Sequence, residues 1–326
     1  MQVHTGLTGP FPRSEALVAA TRDLDRGRAT PEVVEELYAR TEGEVVALER
    51  RLGFDTITGG YLRWADLFRP FAETWEGFSV GPLTRWFETN TFYRQPILHA
   101  PPGRAAGAIA ARLPPAARAE PARAGVILPG PYTFSGLLDN RSGETDEALV
   151  HRLGRLLGEE AAELAGLGCT NFQFSEPLLV DRPPERALAE AVVAAYRVIR
   201  TGAGSAATTL VWTYGGDANP VFPLLDRLPV TAVGIDLAET DWEAIPATSE
   251  RRGLGLGVVD PRTTLVEDAS EVVRIVHRVR ERRRPTAVWL GPGGPLDLVP
   301  WEPATRKLHV LPAARQALAR ESGGRP

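Results

Sequence analysis

Eight short runs of strand-forming residues recur along the chain, with amphipathic helical stretches between them. The runs are VHTGLTG (3–9), FDTITGGY (54–61), AGVILPGP (124–131), NFQFSEP (171–177), TTLVWTY (208–214), AVGIDLA (232–238), GLGLGVVD (253–260) and TAVWLGPG (286–293). Most follow a helical pattern that stops at Gly or Pro, the signal expected before a strand. Stretches such as PEVVEELYARTEGEVVALERRLG and PPERALAEAVVAAYRVIRTG are apolar at i, i+3 and i+4, so each buries one face. Alternation of this kind predicts a parallel sheet covered by helices, and eight repeats predict an α/β fold built as a single (β/α)8 TIM barrel over residues 1–326. A barrel of about 250 residues leaves room for an insertion. That surplus falls at residues 62–123, between the second and third runs. Its aromatic-rich first part is expected to be helical, and its Pro/Ala/Arg-biased second part to be a mobile excursion or loose hairpin. Residues 321–326 read as a flexible tail.

The composition narrows the partners. A net charge of -4 gives no basic face for phosphate neutralisation, which argues against nucleic acid. A single cysteine, Cys169, excludes an internal disulfide and a Cys-rich zinc site. No run approaches the ~18 apolar residues of a membrane helix, and MQVHTGLTGPFPRS carries no basic segment followed by an apolar core. The cytoplasm is therefore the expected compartment, with no membrane partner.

In a barrel the chemistry gathers at the carboxyl ends of the strands. The residues expected there are His4 with Thr5 or Thr8, Tyr61 and Arg63, Tyr132, Ser175 and Glu176, Thr213 and Tyr214, Asp236, Asp260 and the GPGGP turn at 291–295. Glu176, Asp236 and Asp260 are the candidate acid/base groups, although an acid at a strand end can equally cap the next helix or pair with an arginine. Pro177 locks the backbone beside Glu176, which favours Glu176 as a mouth residue. GPGGP is a poor phosphate loop, because two of its five residues lack an N–H and no basic residue is near. His151 and His277 fall within helical patterns, and no His-x-Cys, His-x-x-x-His or Cys-x-x-Cys spacing occurs.

The series GPFPR (9–13), RWFETNTFY (85–93), LPGPYTF (128–134), FSEPLL (174–179), TYGGDANPVFPLLDRLPVTAVGIDL (213–237) and WLGPGGPLDLVP (289–300) resembles cobalamin-independent methionine synthase. The likeness is to the N-terminal barrel of that two-barrel enzyme more than to its catalytic C-terminal barrel. It implies a barrel of one-carbon and methionine metabolism that binds a folate or similar small ligand. Arg13, Arg63, Trp86, Asn90, Tyr132, Ser175 and Tyr214 are the candidate ligand-binding residues. The family's catalytic barrel holds zinc with a His-x-Cys pair at the fifth strand, a Glu after the sixth and a Cys after the eighth. The matching positions here are Val211, Thr213, Asp236 and Gly294, so no zinc and no other cofactor is expected. Ser175 stands where that barrel uses an Asp for the substrate amine, Pro10 where it uses a Ser for the carboxylate, and Arg262 where its proton-donor His falls. SEALV after Arg13 replaces the basic folate-contacting run.

Three readings stay open on these residues. The chain is a ligand-binding relative that works with a separate zinc-bearing methyltransferase, a metal-free enzyme using mouth carboxylates on a small carboxylate substrate, or a non-catalytic binding protein.

Overall fold

Seven of the eight runs become strands of one parallel sheet. The structure, a computed structural model, describes residues 2–247 and 252–323. In chain order its strands are β1 (Gln2–Thr5), β2 (Glu76–Arg85), β3 (Phe92–Gly103), β4 (Gly125–Pro129), β5 (Asp139–Asn140), β6 (Asn171–Ser175), β7 (Thr208–Trp212), β8 (Ala232–Asp236), β9 (Gly253–Val259) and β10 (Ala287–Pro292). The large sheet has the order β1-β10-β9-β8-β7-β6-β4, every pair parallel. It is strongly curled: Gln173 on β6 donates to Thr8 O beyond β1, and Trp212 Nε1 donates to Gly293 O beyond β10 at 3.0 Å. Long helices such as Asp146–Gly166, capped by Thr145, and Arg186–Ala203 cover the outside. Among the described residues no helix is long and apolar enough to cross a membrane.

The second run, 54–61, forms no strand, which corrects the expected count of eight. It contributes one isolated bridge, Ile57 to Ala124, with Asp55 N donating to Thr5 O and Ile57 N to Arg123 O. The cause is local: Gly59, Gly60 and Tyr61 all take positive φ, which turns the chain into a 3-10 helix just past Ile57.

Residues 62–123 also differ from expectation. The helix Arg69–Thr74 is only six residues long, and the segment is dominated by an antiparallel hairpin of β2 and β3, with β5 parallel to β3. Phe68, Phe71, Trp75, Phe78 and Phe134 pack together where helix and hairpin meet. The Pro/Ala/Arg stretch then folds as two short helices, Ala108–Arg112 and Pro115–Ala119. At the other end the helix Val310–Gly323 runs into the expected tail, whose last three residues lie outside the described ones.

Inside the curled sheet, side chains alternate as strand pleating requires. Leu210, Trp212 and Tyr214 form one cluster in the interior, whereas Val211 belongs to the core shared with the helices. The indole of Trp212 lies over glycines on the neighbouring strands. A Cβ at Gly234 would come within 2.2 Å of its ring and one at Gly255 within 2.4 Å. The alternating GLGLG of β9 therefore opens the interior to Trp212 and Trp289, while Leu254 and Leu256 face the helices.

Candidate functional site

A cavity of about 390 Å³ opens at the carboxyl end of the sheet. Its floor and sides come from residues at or just past successive strand ends: Ser175, Tyr214, Asp236, Arg262 and Asp297. The hairpin reaches over this end and supplies Trp86, Phe87 and Tyr93, with Trp64 beside them. Volume, placement and an aromatic-rich wall are those of a small-molecule site.

Asp236 closes β8 and is nearly buried; burial raises its carboxyl above the usual aspartate range, and Arg262 opposes that rise. Arg262 Nη1 lies 3.3 Å from Asp236 Oδ2, its Nε lies 2.8 Å from Asp260 Oδ1, and it also pairs with Glu239. One guanidinium thus serves three carboxylates. Asp297 opens onto the cavity at its rim, where its side chain stays exposed. The protein atoms around it raise its carboxyl above the usual aspartate range, against its own backbone N–H and the charge of Arg13. Tyr214 is nearby; burial first, and the charge of Asp297 second, raise its phenol well above the ordinary value.

Of the residues expected at the mouth, the structure brings together Trp86, Ser175, Tyr214 and Asp236. Glu176 does not face the cavity. It is fully buried and accepts from Tyr132 N at 3.1 Å, Thr133 N at 2.7 Å and Tyr196 Oη at 3.0 Å, joining the ends of β4 and β6. Asp260 turns back to Arg262 as a supporting partner. Tyr132 donates its hydroxyl to Arg182 O, Arg13 its Nε to Leu62 O, and Asn90 is exposed on the hairpin loop outside the lining. Arg63 pairs with Glu42 at 3.0 Å and Glu35 at 2.6 Å away from the mouth. Tyr61 is buried against β4, its hydroxyl donating to Gly125 O and accepting from Ile127 N. His4 stacks on Trp289 at the amino end of the strands.

Sequence reasoning passes over Asp297, Glu239, Trp64 and Tyr93 as ligand contacts. Asp297 had a usable signal, since it follows the last run as Asp236 ends an earlier one. The hairpin residues had none, because their approach depends on a tertiary fold-over.

The zinc positions can be tested against this geometry. Val211 points into the helix-facing core and the Thr213 hydroxyl donates to Gly234 O, so matching them to inward ligands is one residue out of phase. The inward side chains at this strand end are Trp212 and Tyr214, and neither offers an imidazole or a thiolate. A Cβ at Gly294 would lie 3.0 Å from the Tyr214 ring, and Asp236 is engaged by Arg262. Among the described residues no group of three His, Cys, Asp or Glu could hold a metal ion. The donor set does not fit zinc.

Fold and cavity together define an α/β protein with a curled parallel sheet and a ligand site at its strand ends. The family described as cobalamin-independent synthase, N-terminal domain, matches residues 76–284, and the chain belongs to that family. It is 24% identical over 314 residues to a methionine synthase of Sulfolobus acidocaldarius, covering 93% of this chain and 88% of that protein. A methionine synthase of Saccharolobus solfataricus is 24% identical over 316 residues, covering 93% and 91%. Among solved structures, a B12-independent methionine synthase from Shewanella sp. W3-18-1 in complex with selenomethionine superposes with a TM-score of 0.75 at 17% identity, over 98% of both chains. A methyltransferase from Methanosarcina mazei gives 0.61 at 11% identity, over 98% of this chain and 94% of that one. At these identities the structural likeness is one of fold.

Proposed function

We propose that the chain is a methionine-synthase-like protein of one-carbon metabolism that holds a small ligand, a folate or similar molecule, in the strand-end cavity. It has no zinc of its own, and a separate zinc-bearing methyltransferase completes the transfer to a thiol. The bridge at 55–57 is read as the eighth position of a barrel reduced to its minimum. One observation carries the functional reading: the mouth keeps a ligand-sized, aromatic-walled cavity while Trp212, Tyr214 and Gly294 stand where donors to a metal would be needed. A thiol acceptor becomes a better nucleophile when a metal binds it as the thiolate, and nothing at this strand end supplies a metal's ligands.

The test is metal analysis and turnover on the same preparation. Protein purified without chelator is expected to hold no stoichiometric zinc and to transfer no methyl group from methyl-folate to homocysteine alone. Turnover by the chain alone, lost on chelation, overturns the proposal. Metal-free acid/base chemistry is the second reading, favoured by the two aspartates, Asp236 and Asp297, that line the cavity with carboxyls raised above the ordinary range. Asp236 and Asp297 would carry it, since Glu176 and Asp260 do not line the cavity.

A further inference from the structure

We propose that Lys307, which lines no part of the cavity, is a positioning residue for it: it anchors the loop 261–268 so that Arg262 stays on Asp236 at the mouth. The inference rests on the reading of the cavity as the ligand site and adds a residue on which the charge at its mouth depends.

The loop between β9 and the helix Ala269–Arg283 carries Pro261 and Arg262 into the cavity wall. Apolar packing does not hold the rest of it. Pro261 is buried, but Leu265 is 76% and Val266 51% exposed. Among the described residues, two sets of polar contacts tie the loop to the rest of the molecule. Arg262 reaches Asp236 and Glu239 near its start. Near its end Lys307 Nζ donates to Leu265 O and, at 2.6 Å, to Glu267 Oε1. The two ends are joined, because Glu267 Oε1 also accepts from Asp260 N at 2.9 Å and Asp260 Oδ1 accepts from Arg262 N at 3.0 Å and Nε at 2.8 Å. A continuous run of contacts thus leads from Lys307 through Glu267, Asp260 and Arg262 to Asp236.

Lys307 is the one lysine among 37 basic residues, and its side chain is fully buried on the helix Trp301–Leu308. A buried amine persists where it is paired and hydrogen-bonded. A guanidinium, with five donors in a fixed fork, would bring more N–H groups than Leu265 O and Glu267 can receive, whereas an ammonium is compact. Glu267 Oε2 is itself buried without a hydrogen-bond partner, so this carboxylate depends on Lys307 for its counter-charge. Without the amine Glu267 must turn to solvent, and the loop that carries Arg262 loses one of its two anchors. The helix follows β10 and the loop follows β9, so one side chain couples two successive strand ends.

Carboxyl 13C NMR titration of the full chain tests this at Asp236, whose carboxyl is raised by burial and lowered by Arg262. Arg262→Met is expected to move the Asp236 titration to higher pH, and Lys307→Met to move it the same way. The double variant should shift it no further than Arg262→Met alone, since both act through one guanidinium. Loss of the lysine charge acting through space would also raise Asp236, and Glu267→Ala separates the two effects. Removing that negative charge by itself lowers the Asp236 titration, so an upward shift in Glu267→Ala reports a freed Arg262. Leu308→Ala, at a fully buried position of the same helix, should cost stability and leave Asp236 unmoved. An unchanged or lowered titration in Glu267→Ala overturns the proposal, as does a shift in Leu308→Ala equal to that in Lys307→Met. Glu267 is 20% exposed, so its variant carries the test even if Lys307→Met fails to fold. Methyl-folate is titrated into the unsubstituted chain separately. Absence of folate binding removes the folate reading and leaves the carboxyl signals to decide on Lys307, and folate binding with Asp236 unmoved in the variants does the reverse.

Discussion

Glu176 shows how much a single side chain's surroundings decide. Two backbone N–H groups and a phenol converge on its two oxygens in a fully buried place. An amide has one acceptor oxygen instead of two, so in Glu176→Gln at least one backbone N–H faces an NH2. The expected cost is about 1–3 kcal/mol of stability, with ligand affinity unchanged, measured by urea denaturation beside a binding titration. Unchanged stability with lost binding would return Glu176 to the site. From the sequence, a Glu before Pro at a strand end looks much like Asp236, because both follow buried runs at the catalytic end. What separates them is which way the strand end turns, and that is set by the donors of the helix Pro131–Leu137 and by Tyr196, 20 residues further on. Asp236 could be found from the sequence because the last residue of a strand faces either the mouth or the neighbouring turn, and its donors, Gly215 N, Ala238 N and Arg262, all lie at the mouth and leave it there.

At the scale of elements, β9 and Trp212 form one unit. A methyl group at Gly255 would lie 2.4 Å from the Trp212 ring and 2.8 Å from Gly234 Cα, so the ring or the backbone must move. Gly255→Ala is expected to lower stability by about 1–3 kcal/mol, the usual cost of overpacking. Adding Trp212→Leu should recover part of that loss, and strictly additive losses in a denaturation cycle would show that the two sites do not share the space. The seven parallel strands could be read in advance, because all but the half-exposed β1 are almost continuously buried runs bounded by turn residues. The hairpin of β2 and β3 could not. Gly77, Gly81, Pro82, Pro96, Pro101 and Pro102 interrupt its alternation, and its pairing slips between Val80 and Leu83, so neither a period of two nor of 3.6 survives. The 54–61 run failed for the opposite reason: its strand-like start is cut short by left-handed residues that propensity alone does not reveal.

For the molecule as a whole, three carboxyl groups far apart in the fold share one behaviour. Burial pushes Glu49, Glu160 and Glu176 each up to about 7. A folded value above the unfolded one means that the stabilising contribution is complete below the ordinary glutamate range and is lost as pH rises through about 7. Each group contributes on the order of 1–3 kcal/mol. Surface carboxylates such as Glu35, held low by its hydrogen bond to Arg63, act in the opposite sense. Denaturation midpoints are therefore expected to be higher at pH 5 than at pH 8, and a flat or rising profile would mean that these carboxyls ionise without cost. The same whole-molecule view bears on protein engineering. Trp212 lies where a designer would first place an imidazole, yet the room for its indole comes from Gly234 and Gly255 on two other strands. Exchanging Trp212 alone leaves a hole worth about 3 kcal/mol or more, and filling the glycines first leaves the indole nowhere to go. Any route to a metalloenzyme on this scaffold must rewrite three strands at once, which makes the present interior a dead end for stepwise redesign.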